Sequence, residues 1–189
     1  YKSYWVNHAY YGPGTVYVEN TSNVSEIFNL NLTYNKAGWV VHMLRGVMGD
    51  SSFFQTLKSY GSNDTLAYNS ATTEDFKKVC EAESGLDLED FFNQWIYGSY
   101  YPKYGVSWEL NEDNELIVDI YQQQSWQYFN MPIPIHVITT QDTIKLVLEN
   151  TSEYQQFNLG FFSNSVVDLK FDPDNWILKE VEYLSLPDI

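Results

Sequence analysis

The chain has 189 residues, of which 44% are hydrophobic and 19% are charged, a composition typical of a globular protein with enough length for a substantial core. Its formal net charge is −15 at pH 7. Such an acidic chain repels phosphate groups, so we expect no nucleic acid and no anionic membrane among its partners. The sequence also has no apolar run long enough for a membrane-spanning helix.

The start of the sequence and its cysteine content set two further limits. The chain begins at Tyr1, with neither an initiator Met nor a signal peptide, so we expect it to be part of a longer protein. Its single cysteine, Cys80, excludes an intrachain disulfide. Because Cys80 lies four residues after Phe76 on a helical stripe, we expect it to be a small buried residue.

Residues 35–98 carry hydrophobic side chains at helical spacing, divided by glycines into four predicted helices. The first spans residues 36–48 and stops at Gly49. Asp50 can cap the second helix, which is predicted to end at Gly61. The side chains expected on the buried face of the second helix are Phe53, Phe54 and Leu57.

The third and fourth helices have recognisable start signals. Thr72 can cap the third helix, in which Asp75 lies near the positive end of the helix dipole, and Gly85 ends it. The fourth helix is predicted to begin at Asp87 and to end at Gly98. Its apolar face consists of Phe91, Phe92, Trp95 and Ile96.

From Tyr104 onward the hydrophobic period changes to two, which is typical of half-buried strands. The alternating runs include residues 116–120, 133–137, 144–148 and 167–171, with turn-rich clusters between them. The pattern predicts an antiparallel β-sandwich of about seven strands. The fold class is therefore predicted to be α+β, with a helical domain over residues 1–103 and a β-sandwich domain over residues 104–189.

The three histidines, His8, His42 and His136, are far apart and form no H-E-x-x-H pair, so the sequence predicts no metal site within this chain. His42 lies in an apolar run and is expected to be a core histidine, whereas His136 should face away from its apolar neighbours on a strand. The oxygen-rich cluster at residues 172–175 could bind calcium, but a turn that contains proline explains it better.

The segment around Tyr34 is the most specific feature of the helical half. Tyr34 immediately precedes the first predicted helix, where a phenol can point its hydroxyl into a cleft as a hydrogen-bond donor. A tyrosine at this position can equally attach the start of the helix to the core. From the residues alone, the second interpretation is favoured.

Several short segments, in a fixed order over residues 34–108, carry a family pattern. They are Tyr34-Asn-Lys-Ala-Gly-Trp-Val-Val-His-Met-Leu-Arg45, Gly49-Asp50, Ala71–Phe76, Ser84–Leu88, Phe91–Trp95, Tyr101–Tyr104 and Val106–Trp108. Together they resemble the M1 (gluzincin) aminopeptidases, whose usual form is Tyr-x-Lys-Gly followed by an apolar run and often by His-Met-Leu-Arg. The region after residue 108 resembles the family in position and pattern, with weaker motifs.

The resemblance implies both a fold and a function. It implies the C-terminal helical part of an M1 catalytic domain followed by a β-sandwich, in an enzyme that removes N-terminal residues from peptides. In the family, the tyrosine that corresponds to Tyr34 stabilises the oxyanion of the tetrahedral intermediate during zinc-assisted attack of water. The usual Gly-Ala after the lysine is reversed here to Ala37-Gly38, which leaves the roles of Lys36 and Gly38 open.

The family's H-E-x-x-H, its downstream glutamate ligand and its G-x-M-E-N loop normally precede this region, and none of them occurs in the sequence. The resemblance therefore implies a fragment that is inactive alone. Its parent is expected to contain zinc, held by an N-terminal zinc-bearing part, and to act on peptides. We further expect an exported bacterial enzyme, either periplasmic or extracellular.

Two other functions are compatible with the residues. One is a binding or scaffold protein that uses the same parts without zinc. The other is a β-sandwich adhesion or carbohydrate-binding module, in which Trp126, Tyr128 and Tyr121 would form a platform for sugar rings. Aromatic residues on sandwich strands more often belong to the core, which favours the peptidase interpretation.

Overall fold

The computed structural model describes residues 13–185, so His8 lies outside the described residues. The chain divides into two compact units between Tyr100 and Tyr101. The first unit contains the helices and the second contains all the described strands. The predicted α+β class is therefore confirmed.

The first unit contains four α-helices and two π-helical segments among its described residues. Helix α1 is very short, and a π-helical segment leads from it directly into the long helix α2. The helices are α1 (Val24–Ile27), α2 (Ala37–Gly61), α3 (Thr73–Ser84) and α4 (Glu89–Phe92), and the π-helical segments are Leu30–Lys36 and Asn93–Tyr97.

Helix α2 is interrupted at Gly49, as predicted. Gly49 has φ 75° and ψ 158°, a backbone conformation that is open almost only to glycine. Across this break, Arg45 pairs with Asp50, whose carboxylate lies 2.8 Å from the guanidinium. The two halves of α2 are thus separate helices that follow each other without a loop.

The predicted buried face of the second half of α2 is only partly correct. Phe53 is buried, but Phe54 and Leu57 are 53% and 42% exposed. The inward stripe of this half instead runs through Phe53, Thr56 and Tyr60, at spacings of three and four residues. Thr56 is completely buried, and the Tyr60 ring meets a phenylalanine of α3 edge-on with 5.1 Å between the ring centroids.

Helix α3 has the predicted ends. Thr72 and Asp75 form a reciprocal capping box at its start, and Gly85 adopts a left-handed conformation at its end. Cys80 is fully buried, as expected. Lys77 connects α3 to α4, because its ammonium lies 2.5 Å from a carboxylate oxygen of Glu89.

The predicted fourth helix is present but is only partly α-helical. It begins as α4 and continues as the π-helical segment Asn93–Tyr97, and Gly98 then adopts an extended conformation. Phe91, Phe92 and Trp95 are buried, as predicted. Their rings pack on one another with centroid distances of 6.0 and 6.5 Å.

The second unit contains seven described strands in two sheets. The four-stranded sheet has the order β5-β2-β1-β7, and the three-stranded sheet has the order β4-β3-β6. The strands are β1 (Lys103–Leu110), β2 (Glu115–Gln122), β3 (Met131–Thr139), β4 (Thr143–Asn150), β5 (Tyr154–Phe161), β6 (Val166–Phe171) and β7 (Glu180–Tyr183).

One strand pair departs from the predicted antiparallel arrangement. β7 pairs with β1 in parallel, with Lys103 opposite Glu180 and Val106 opposite Tyr183. All other strand pairs in the described part of the unit are antiparallel. The parallel pair arises because the chain leaves β6 in one sheet and crosses to the edge of the other sheet before β7 begins.

The two sheets of this unit enclose a core formed by their alternate residues. Ile135 and Val137 of β3 are fully buried, whereas His136 between them is partly exposed, as the alternation predicted. The rings of Tyr104 and Phe171, on opposite sheets, lie 5.0 Å apart. Sandwich packing of this kind accounts for the period of two in the sequence.

Candidate functional site

Tyr34 lies within the π-helical segment Leu30–Lys36 and not immediately before a helix. Helical structure thus begins earlier than predicted. The missed signal is Asn29, whose side-chain oxygen accepts hydrogen bonds from the backbone N–H groups of Asn31 and Leu32, both at 3.0 Å. An asparagine cap of this kind is a common helix start, and it fixes the backbone that carries Tyr34.

The Tyr34 side chain is 52% exposed. Its hydroxyl makes no hydrogen bond to any group within residues 13–185. A phenol on an ordered helical turn with a free hydroxyl can donate a hydrogen bond to a ligand oxygen. This geometry is compatible with the predicted role and does not support a tyrosine buried as a helix anchor.

The buried side of the same segment is polar. Its two buried residues are Asn35 and Lys36, which are 5% and 2% exposed. The Lys36 ammonium donates to the carbonyl oxygens of Gly14 and Gly98, at 3.2 and 3.0 Å. Burial lowers the pKa of Lys36 to about 8. Sequence reasoning left Lys36 without a role, and a lysine gives no sequence signal of burial.

An apolar cavity of 330 Å³ opens beside the N-terminal half of α2. Ala37 and Val41, three and seven residues after Tyr34, form part of its wall. Phe76 of α3 and Phe92 of α4 contribute aromatic surface, and Thr72 contributes a polar rim. The cavity therefore offers a mainly apolar surface on the helix that follows Tyr34.

The described residues do not fit a zinc ion. Within residues 13–185, no three His, Cys, Asp or Glu side chains converge on a common point. His42 instead stacks on Trp39, with 5.1 Å between the ring centroids. The fully buried Cys80 has its thiol pKa raised to about 12 by desolvation, which opposes the thiolate form that metals require.

The oxygen-rich cluster at residues 172–175 forms a turn stabilised by its own chain. Both carboxylate oxygens of Asp172 accept backbone hydrogen bonds, from Trp176 and from Ile177, each at 2.8 Å. Lys179 also binds this carboxylate, at 2.5 Å. The turn interpretation of this cluster therefore accounts for its chemistry.

The aromatic residues proposed as a sugar platform contact their own surroundings. Tyr121 stacks on Tyr154 of the neighbouring strand, with 4.7 Å between the centroids and 24° between the planes. The Trp126 indole N–H donates to the carbonyl of Tyr101, at 3.3 Å. A hydrogen bond to a glutamate raises the pKa of Tyr128. The stacking of Tyr121 on Tyr154 is a cross-strand pair. Trp126 and Tyr128 lie between β2 and β3 and make hydrogen bonds within this unit, so the three side chains are not shown to form one planar platform.

None of the helices within residues 13–185 combines the length and the apolar character that crossing a bilayer requires.

Three comparisons relate the chain to known proteins. Residues 7–95 match the family model described as the Peptidase family M1 domain. Aminopeptidase M1-C of Oryza sativa subsp. japonica is 33% identical over 110 residues, which are 56% of this chain and 12% of that protein. Transcription initiation factor TFIID subunit 2 of Saccharomyces cerevisiae is 30% identical over 101 residues, or 47% of this chain and 7% of that protein.

The fold also matches a solved structure, Legionella pneumophila aminopeptidase A in complex with aspartic acid. The match has a TM-score of 0.71 and 18% sequence identity, and it covers 92% of this chain and 20% of that one. The chain thus spans only a small part of the length of the proteins it matches. Tyr34, its helical surroundings and α2 all lie within the residues that match the peptidase domain. Residues 7–95 therefore match part of the M1 family's peptidase domain, and the chain is similar in sequence to M1 aminopeptidases.

Proposed function

We propose that this chain forms one wall of an M1 aminopeptidase active site, in which Tyr34 donates a hydrogen bond to the oxyanion. The observation that carries the proposal is the position of Tyr34. It is half-exposed on a capped helical turn, within the region that matches the peptidase domain. The substrate would be the N-terminal end of a peptide.

The chemical role follows from where charge develops. When water adds to the scissile carbonyl, its oxygen becomes negatively charged, and a fixed O–H donor binds that oxyanion more strongly than the neutral carbonyl. Loss of one such donor costs about 3–4 kcal/mol of transition-state stabilisation. The Asn29 cap and the Lys36 hydrogen bonds fix the Tyr34 backbone, so little reorganisation is needed.

The zinc ligands would lie in another part of the protein. The 189 residues contain no H-E-x-x-H. We therefore propose that a zinc-bearing part of the peptidase domain is the partner of this chain, and that the chain alone does not hydrolyse peptides. Elemental analysis after dialysis and an aminoacyl-anilide assay test this proposal. Stoichiometric zinc or turnover by the chain alone would contradict it.

The decisive test of Tyr34 is Tyr34→Phe in the full-length natural protein. Removal of an interaction made mainly in the transition state should lower kcat by roughly 10²–10³ and leave KM almost unchanged. Tyr68→Phe is the matched control, because Tyr68 is fully exposed and should keep normal kinetics. Near-normal kcat in Tyr34→Phe would mean that Tyr34 has only a structural role.

A second candidate function is a zinc-free scaffold. The similarity to TFIID subunit 2, a protein named as a transcription factor subunit, favours it. The gene sequence upstream of the codon for Tyr1 distinguishes the two functions. An H-E-x-x-H encoded there supports the peptidase proposal, and a long open reading frame without one supports the scaffold.

A further inference from the structure

Two lysines of the first unit are buried in opposite electrostatic surroundings. Lys77 pairs with two carboxylates, those of Glu74 at 2.7 Å and Glu89 at 2.5 Å. The ammonium of Lys36 instead binds the carbonyl oxygens of Gly14 and Gly98. The carboxylates raise the pKa of Lys77, whereas desolvation lowers that of Lys36 to about 8. Lys36 is thus a buried cation bound by neutral partners.

A gain in the free energy of unfolding does not explain why Lys36 is buried. Desolvation of a cation is unfavourable, and two neutral carbonyls compensate for it less than a carboxylate does. An apolar side chain of similar length could fill the same space without this cost. We therefore look for the contribution of Lys36 in the chain segments that its hydrogen bonds join.

Those hydrogen bonds join three stretches that are distant in sequence. Gly14 and Gly98 are 22 and 62 residues away from Lys36. The Gly14 backbone, with φ +139°, packs so closely that an added Cβ would lie 2.7 Å from a Leu32 methyl group. Gly14 therefore lies against Leu32, in the same segment that carries Lys36.

The Tyr34-bearing segment has little apolar anchorage. Leu30 and Tyr34 are 55% and 52% exposed, and the buried residues of the segment are Asn35 and Lys36. The side-chain nitrogen of Asn35 has no partner within the described part of the chain. The hydrogen bonds of Asn29 and Thr33 stay within residues 27–33. The two hydrogen bonds of Lys36, two residues from Tyr34, instead join the segment to distant parts of the chain.

We propose that Lys36 is a positioning residue, which holds the Tyr34-bearing segment in one orientation by binding the carbonyls of Gly14 and Gly98. Its significance for catalysis rests on the proposed function of Tyr34, but the positioning itself does not. The positioning by Lys36 and the catalytic role of Tyr34 can therefore be tested separately.

The test uses the 189-residue chain with 4-fluorophenylalanine in place of Tyr34, a reporter that does not titrate. Fluorine NMR and hydrogen exchange of residues 30–36 are compared between the wild-type chain and Lys36→Met. We expect Lys36→Met to increase exchange of these amides about tenfold or more, and to broaden or split the fluorine signal. Exchange in α3 should stay at the wild-type level.

Lys77→Met is the matched control, since it removes the other buried ammonium without touching the segment. It should affect α3 and α4 and leave the fluorine signal unchanged. If Lys36→Met does not fold, Lys36→Gln replaces it, because the shorter amide can reach at most one of the two carbonyls. Wild-type exchange and a wild-type fluorine signal in the folded variant would overturn the proposal. Uniformly faster exchange across the whole unit would also overturn it, because Lys36 would then be only a stability residue.

Discussion

The ammonium of Lys179 lies 2.5 Å from a carboxylate oxygen of Asp172, and both side chains are almost completely buried. Asp172 also accepts the backbone N–H groups of Trp176 and Ile177. One carboxylate therefore organises the loop that carries the chain from β6 to the parallel strand β7. The pairing of β7 with β1 depends on this loop.

We expect Asp172→Ala to destabilise the β-sandwich unit strongly. The substitution removes the carboxylate that binds the Lys179 ammonium and the N–H groups of Trp176 and Ile177. Breaking a buried ion pair in this way costs about 3–5 kcal/mol. Urea unfolding, followed by a spectroscopic signal of the second unit, measures the loss in the free energy of unfolding.

Asp168→Ala is the matched control on the preceding strand. Asp168 pairs with Lys170, but this ion pair is largely exposed, with side chains 42% and 52% accessible. Exposed pairs contribute little, so this variant should unfold at nearly the wild-type urea concentration. If Asp172→Ala and Asp168→Ala lost equal amounts of the free energy of unfolding, Asp172 would not organise the loop.

Much of the fold follows from short-range signals in the sequence. Gly49 and Gly85 end helices where the chain requires conformations that glycine tolerates best, and Thr72 caps α3 as its spacing from Asp75 predicts. The period of two likewise gives the buried faces of β3 and β4, whereas β1 and β2 are buried on both faces over much of their length. These features depend on residues that are close in sequence, so they can be predicted from the sequence alone.

The features that were missed depend on distant contacts. Phe54 faces outward because the inward stripe of its helix includes the polar Thr56, which hydrophobic spacing does not reveal. The parallel β7 depends on a loop built around Asp172. The role of Lys36 depends on carbonyls of Gly14 and Gly98, and no local pattern reveals a backbone acceptor.

The stability of the first unit should increase with pH because of Lys36. Burial lowers the pKa of Lys36 from its ordinary value of 10.5 to about 8. Between these pH values the unfolded chain still holds the proton that the folded chain has lost. The unfolded state therefore binds more protons, and the free energy of unfolding rises by about 3 kcal/mol across this window.

Lys36→Met isolates this effect, since every other titrating group remains. Below pH 8 the free energies of unfolding of wild type and variant should differ by a constant amount. Between pH 8 and pH 10.5 the wild type should become more stable relative to the variant. Urea unfolding at several pH values measures it. A difference that does not change with pH would mean that Lys36 keeps an ordinary pKa in the folded chain.

The thiol of Cys80 should report directly on opening of the helical unit. Cys80 is fully buried on α3, and burial raises its pKa to about 12, so both access and thiolate formation are suppressed in the folded chain. We expect a thiol reagent at pH 8 to modify the native chain at least about 10²-fold more slowly than the urea-unfolded chain. Because Cys80 is the single cysteine, complete unfolding should release one reactive thiol per chain.

A Cys80→Ser chain that carries Ser70→Cys provides the accessible control, because Ser70 is exposed. That thiol should react at nearly the same rate in folded and unfolded chains. Lys77→Met should accelerate modification of Cys80, since it removes the ion pairs that connect α3 to α4. Asp172→Ala should leave the rate unchanged, because its effect belongs to the other unit. Rapid modification of Cys80 in the folded wild-type chain would contradict a packed interface between α3 and its neighbouring helices.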